Sequence, residues 1–263
     1  MSTLPIVCLA LGDFYGLGDQ YVSRMYEMLG RHCDRPFQLY CYTDRARRLP
    51  AAVETRDCAG WSELDRPGMR ATTRKLGLFN PAYLPFEEFL YLDLTLVIRS
   101  AMRPLLEFAT GSDKDLVIVD DWHHEGYNSS VMRIRPQPLR FVYDAFVAGE
   151  RYPQKVLGDQ EFLHAVIARR GAQARVDLFP AGQVISYKQA VRTGRRDPGL
   201  ARRMVDEAVI VKFHGEPRMH EAFDPFHHFW RIRLRDWAHG RWRSPVPTRE
   251  LKREWLGGPG RQA

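Results

Sequence analysis

With 263 residues, 44% of them hydrophobic, and no run near the roughly 18 apolar residues of a membrane helix, the sequence predicts one sizeable core and excludes a helical membrane span. Its four cysteines, Cys8, Cys33, Cys41 and Cys58, form no C-x-x-C pair, which excludes a zinc or dithiol motif and predicts reduced thiols. The net charge of +7 suggests an acidic partner, but from Arg231 onward nine basic residues face three acids, so +6 of it belongs to the tail.

Residues 4–11 (LPIVCLAL) read as a buried first strand ending at Gly12. Tyr21, Val22, Met25, Met28 and Leu29 recur at helical spacing and predict an amphipathic helix over 20–31 that stops near Pro36. Residues 37–43 (FQLYCYT) form the next strand, closed by Asp44. This β-α-β opening predicts an α/β domain whose parallel strands present ligands at their carboxyl ends. A helix over 74–79, halted by Pro81, precedes residues 88–98 (EFLYLDLTLVI), the strongest strand signal, interrupted by one acid, Asp93. Strands are also expected over 115–119, 127–134 and 208–213, and helices over 138–148 and 160–169. The start of the chain lacks a signal sequence, which predicts a cytoplasmic protein. Residues 1–229 are expected to form one domain and 230–263 a basic extension carrying Trp230, Trp237, Trp242 and Trp255. Trp among arginines suits a surface resting on anionic lipid at the inner membrane face; it equally suits a solvated tail whose tryptophans pack back onto the domain. A nucleic-acid-binding module is the weaker alternative, and no nucleic acid is expected as a partner.

Burying an unpaired carboxylate costs on the order of several kcal/mol, so Asp93 is expected to face a cleft and meet a cation or a hydrogen-bond donor; the alternative is a plain ion pair with an arginine. The loop from Gly12 to Gly18 follows the first strand as a nucleotide-binding loop would. It lacks the third glycine of a dinucleotide fingerprint and an acid about 20 residues on at a strand end. Lys75, Arg70 and Arg74 offer either a diphosphate grip or a basic helix face. His123-His124-Glu125 and His227-His228 lack zinc-site spacing and read as loop and surface histidines. Asp159 has a structural alternative as the N-cap of the helix that follows it.

Four blocks carry a family resemblance. Tyr91-Leu92-Asp93-Leu94-Thr95 resembles the YLDxD segment of the GT-A glycosyltransferases related to glycogenin and to the bacterial lipopolysaccharide glycosyltransferases of family 8. Tyr127-Asn128-Ser129-Ser130-Val131-Met132 resembles their F/Y-N-S-G-V-M block, Gly158-Asp159-Gln160-Glu161-Phe162-Leu163 their D-Q-x-x-L block, and Val211-Lys212-Phe213-His214-Gly215-Glu216-Pro217 their block near the C-terminus. Ser186-Tyr187-Lys188 matches a further S-Y-K. The blocks occur in the family's order, with Lys75 in a K-L-x-L-F segment before the first, and span residues 5–220.

The resemblance implies a single GT-A-like α/β domain with a mostly parallel sheet. It also implies transfer of a hexose from a nucleotide-sugar donor to a glycan or lipid-linked acceptor, with retention of configuration. Leu9, Ala10, Tyr15, Lys75, Asp93, Ser129 and Gly215 are then expected at the donor, and Asn128, Asp159 and Gln160 around the transferred sugar. The implied cofactor is Mn²⁺ or Mg²⁺, neutralising the leaving diphosphate, with Asp93, Thr95 and His214 as its ligand set. Thr95 stands where the family has its second acid, so either metal affinity falls or another ligand takes over. A catalytically degenerate member that binds a nucleotide-sugar or glycan without transferring it is the alternative.

Overall fold

A computed structural model describes residues 3–153, 156–224, 226, 234 and 246–258. In chain order the elements are β1 (Leu4–Ala10), α1 (Gly18–His32), β2 (Phe37–Thr43), β3 (Glu54–Asp57), β4 (Phe89–Leu92), β5 (Leu96–Ile98), α2 (Arg103–Gly111), β6 (Leu116–Asp120) and β7 (Tyr127–Ile134). They continue with α3 (Pro136–Val147), α4 (Asp159–Arg169), β8 (Val176–Leu178), β9 (Val184–Ser186), α5 (Tyr187–Gly194), α6 (Pro198–Glu207), β10 (Ile210–Lys212), α7 (Met219–Phe223) and α8 (Thr248–Leu256). The fold class is α/β, as expected, and no described helix is long and apolar enough to cross a membrane.

The chain divides into two compact units, the first holding Met1–Val22, Arg35–Leu94 and Pro104–Phe179 and the second Ser23–Asp34, Thr95–Arg103 and Pro180–Ala263. The segment 88–98, expected as one strand, is two: β4 ends at Leu92, β5 begins at Leu96, and they belong to different sheets. The continuous apolar character survives because both strands are fully buried. Asp93 breaks the run, its Oδ1 accepting the Leu94 N–H at 2.9 Å. The expected helix over 74–79 is a 3-10 helix, Ala71–Phe79, that starts earlier.

The first unit is built on a seven-stranded sheet of order β3-β2-β1-β4-β7-β6-β8. It is mixed but mostly parallel, with β7 running against both β4 and β6. Its core joins Val7 and Leu9 of β1, Phe89 and Tyr91 of β4, and Met132 and Ile134 of β7 to Phe162 and Val166 of α4. Arg133, on the opposite face of β7, is 2% exposed. Its guanidinium donates to the carbonyls of Ala109 at 2.8 Å, Lys114 at 2.6 Å and Ser112 at 3.0 Å, tying the end of α2 and the approach to β6 onto the sheet.

The second unit carries a three-stranded sheet, β5-β10-β9. Tyr187 stacks on Phe213 with ring centroids 4.3 Å apart, Phe213 meets Phe223 at 5.4 Å, and Phe223 meets Trp255 at 5.6 Å. On α8, Thr248, Leu251 and Trp255 share one buried helical face. Trp255 of the basic segment thus packs inward; Trp230, Trp237 and Trp242 lie outside the described residues.

Arg133→Met leaves three carbonyls without their donor and is expected to cost about 3 kcal/mol in urea denaturation, where a loss under about 1 kcal/mol would contradict this reading. Cys8, Cys41 and Cys58 are buried and Cys33 half-buried. Burial pushes the Cys58 thiol up to about 12, and the hydrogen bond with Cys41, followed by burial, raises that of Cys8. Disulfide reagents at pH 8 are therefore expected to modify Cys33 first in the native protein; fast modification of Cys58 would count against the packing described here.

Candidate active site

The strand order changes direction at β1, which is parallel to β2 on one side and to β4 on the other. Ligand crevices in open α/β sheets lie outside the carboxyl ends of strands at such a switch point. β1 ends there at Ala10 and β4 at Leu92, one residue before Asp93. The loop after β1 is held from below. Gly12 donates its N–H to both oxygens of Asp44 at 3.0 Å, and Arg47 donates to the carbonyls of Ala10 at 2.8 Å and Gly12 at 2.7 Å. Above these anchors Phe14 and Tyr15 adopt φ of 48° and 62°, a conformation side chains rarely take, and the Tyr15 ring is 55% exposed. Leu9 and Ala10 have buried side chains, so what they present at the crevice is backbone.

Lys75 is positioned by the 3-10 helix. Thr73, Leu76, Leu78 and Phe79 are buried around it, and at Gly77 an added Cβ would stand 2.6 Å from the Trp61 ring. Glycine lets the indole lie directly on the helix backbone, and Trp61 in turn stacks on Tyr83 at 4.9 Å. Because β4 and β7 are antiparallel with Leu92 opposite Val131, the next pair of residues also meets: Asp93 donates its N–H to the Ser130 carbonyl at 2.8 Å. That register unites two blocks 35 or so residues apart in sequence. The third arrives with α4, whose first residue, Asp159, accepts a hydrogen bond from the Ser129 hydroxyl.

These elements converge on the Lys75 ammonium, which lies 3.2 Å from Asp93 Oδ2, 3.4 Å from Ser129 Oγ and 3.9 Å from Asp159 Oδ2. Burial works to discharge it, but the carboxylate of Asp93, then Tyr91 and Asp159, outweigh burial and hold its pKa well above that of a free lysine. Asp93 has therefore found the expected cation, in Lys75 rather than an arginine. Asp159 is not the N-cap: Gly158 is, so the carboxylate is left for Ser129 and Lys75. Gln160 turns its amide onto the Tyr127 carbonyl at 3.1 Å and Asp121 Oδ2 at 3.4 Å, while Asn128 Oδ1 accepts from the Ser130 N–H and hydroxyl. The Tyr91 hydroxyl is buried with no hydrogen-bond partner, its ring 5.6 Å from the ammonium.

Arg70 pairs with Glu161 at 3.3 Å on the surface, which suits the basic-face reading, whereas the largely buried Arg74 pairs with Asp65 at 2.8 Å and also lies 3.6 Å from Asp44. His123 and His124 donate their backbone N–H groups to Asp121 in a loop; His227 and His228 are outside the described residues. The S-Y-K block now has a structural reason. Ser186 caps α5 by accepting the Gln189 N–H at 3.1 Å, and Tyr187 joins the aromatic stack, its hydroxyl 2.8 Å from that of Thr248. Asp44 and Arg47 escaped the sequence reading because Asp44 closes β2 thirty-two residues after Gly12, well beyond the spacing sought.

The expected metal ligands are divided between the two units. Asp93 belongs to the first unit, Thr95 and His214 to the second. Asp93 is paired with Lys75, the Thr95 hydroxyl accepts a hydrogen bond from the Lys212 ammonium, and His214 Nε2 is spent on Ser186 Oγ at 2.6 Å. Among the described residues no three His, Cys, Asp or Glu side chains gather as a candidate metal site. Gly215, beside His214, has a φ of +66° in a turn that favours glycine.

No family model and no curated protein matches this sequence. Solved structures do match. A galactosyltransferase, LgtC, in complex with donor and acceptor sugar analogues superposes with a TM-score of 0.58 at 14% identity, covering 94% of this chain and 100% of that one. An active-site glutamine-to-glutamate mutant of LgtC gives 0.56 at 14% identity with the same coverage, 94% and 100%. Mouse xyloside xylosyltransferase 1 in its apo form gives 0.54 at 13% identity over 82% of this chain and 99% of its own. Over most of its length, then, the chain is structurally similar to GT-A glycosyltransferases of the family 8 type and has their fold.

Proposed function

We propose that this chain is a retaining glycosyltransferase that moves a hexose from a nucleoside-diphosphate sugar to a glycan or lipid-linked acceptor. The observation that carries the reading is the Lys75, Asp93, Ser129 and Asp159 cluster at the carboxyl end of β4, within a fold shared with sugar-transferring enzymes. Carboxylates paired with a buried ammonium are strong acceptors for sugar hydroxyls, and 21% of the Asp93 side chain remains open to such a ligand. Tyr15 offers an exposed ring to the base of the nucleoside, and Gln160 lies at the end of α4 that bears Asp159. In LgtC a glutamine belongs to the active site, which favours Gln160 as the residue facing the anomeric centre.

In this reading the acceptor hydroxyl oxygen attacks the anomeric carbon from the face that the diphosphate leaves. The bond to the phosphate oxygen breaks with its electron pair, and the departing phosphate takes the acceptor proton. The protein's part is to orient the hexose and to surround the leaving group with fixed positive charge. The C-terminal segment would hold the enzyme near an acceptor at a membrane surface. A second reading, binding without transfer, is favoured by Thr95 in place of an acid.

The test is release of nucleoside diphosphate from a panel of nucleotide-sugars, with and without simple glycan acceptors. Turnover of one donor is expected, falling at least 100-fold in Lys75→Met and in Asp93→Asn, each lost contact being charge-assisted. Donor binding without any turnover would transfer the assignment to the second reading; turnover undiminished in both variants would remove the cluster from the site. The raised Lys75 pKa also sets a pH dependence. Its stabilising contribution is fully present below the unfolded value of about 10.4 and is lost only as pH rises through the higher folded value. Donor affinity should therefore stay flat from pH 8 to about 10 in a binding titration, and a decline there would show that the ammonium is not held as described.

A further inference from the structure

Within the first unit, the end of α3 and the start of α4 enclose a cavity at the same end of the sheet as the Lys75 cluster. Because β7 runs against β4, its last residue, Ile134, stands opposite Phe89, the first residue of β4. α3 therefore starts at the amino end of β4 and carries the chain back to the carboxyl end, where α4 opens with Asp159 on Ser129. Between the two helices, with Arg66 and Met69 on its other wall, lies a cavity of about 430 Å³, within the range that takes a small ligand. Phe162 lines it three residues after Asp159, on the same side of α4 and about 5–6 Å along. The Arg70 N–H donates to the Leu157 carbonyl at 2.7 Å, so the segment that leads from the cavity to Lys75 is tied to the one that leads to Asp159.

The lining has an apolar part and a charged part. Phe146, Phe162, Met69 and Val156 make the apolar part, with the two phenylalanine rings edge to face at 5.0 Å. The charges do not balance. Glu150 is the one acid among the described lining residues, and it is taken up by Arg170 and by the Tyr152 hydroxyl at 3.1 Å. Arg66 stands over the Phe146 ring, 4.4 Å from its centroid, and donates to the carbonyls of Phe146 and Val147, where it meets the negative end of α3. Arg151 is exposed, and its guanidinium faces no acid among the described residues, so its charge is left for a ligand. A planar fork of donors beside an apolar wall suits a ring that carries an anion. The C–H face of a pyranose is apolar, and a carboxylate or phosphate on it would take paired N–H bonds from Arg151. We infer that this cavity receives an acidic sugar of the acceptor, one bearing a carboxylate or a phosphate, beside the donor cluster. The inference rests on the donor-site reading given above and adds to it the chemical class of the acceptor.

Met69 supplies a reporter inside the cavity. The experiment is an NMR titration of the whole chain carrying ¹³C at its methionine methyls, with the Met69 signal identified by its loss in Met69→Leu. The probes are methyl β-glucoside, methyl β-glucuronide, glucose 6-phosphate and inorganic phosphate at constant ionic strength, followed by the diphosphates of uridine, guanosine, adenosine and cytidine in Mn²⁺. At least one of the two acidic sugars is expected to move the Met69 signal and to bind about 5-fold or more tightly than the neutral glucoside, and the preferred one tells carboxylate from phosphate. Arg151→Gln, a substitution at an exposed position, should erase that margin, and its melting temperature reports whether it folds. Equal affinity for neutral and acidic sugars, or a Met69 signal that no sugar moves, would overturn the inference. So would a folded Arg151→Gln that keeps the preference, or inorganic phosphate acting as strongly as glucose 6-phosphate. Any of these results together with binding of a nucleotide would leave the donor-site reading intact. Acidic sugars bound by a chain that takes no nucleotide would overturn that reading and the acceptor role with it.

Discussion

Opposing carboxylates keep a buried ammonium charged, and the candidate site is organised around one such group. Lys75 reaches its position because Gly77 admits the Trp61 ring against the 3-10 helix, and it stays charged because Asp93 and Asp159 converge on it from two other elements. Each carboxylate depends on a separate piece of backbone. Asp93 is set by the β4–β7 register, and Asp159 by the start of α4 at Gly158, which leaves its side chain uncommitted to capping. Removing the ammonium would leave two neighbouring acids to repel each other, so binding geometry and local stability rest on the same contact.

Much of this was legible in the sequence. The apolar runs that became β1, β2, β6 and β7 and the periodicity of α1 are patterns of burial, and burial is what a linear pattern reports best. Direction and sheet membership are not. The run 88–98 keeps the same apolar character through a change of sheet, and only Asp93 marked where the break would fall. Short strands such as β8 and β9 carry too few residues to show a period. Of the site, Lys75, Asp93, Ser129 and Asp159 were identified and come together, whereas the buried positions of Leu9 and Ala10 and the inward turn of Asn128 onto Ser130 depend on local geometry that spacing does not encode.

The residues that the resemblance singles out as metal ligands each have a partner within their own unit. In the first, Asp93 is paired with Lys75; in the second, Thr95 accepts a hydrogen bond from Lys212, and His214 Nε2 lies 2.6 Å from Ser186 Oγ. Electrostatic stabilisation of a leaving diphosphate requires positive charge in a fixed place, and within the first unit the buried group that carries such charge at the cluster is Lys75.

The most direct measurement is a crystal structure of the chain with a nucleotide-sugar, or a non-hydrolysable analogue, chosen by the binding panel. The account predicts the ligand at the carboxyl ends of β1 and β4, with its base at Tyr15 and its hexose hydroxyls on Asp93 and Asp159. A ligand bound away from Lys75 and its carboxylates would contradict it.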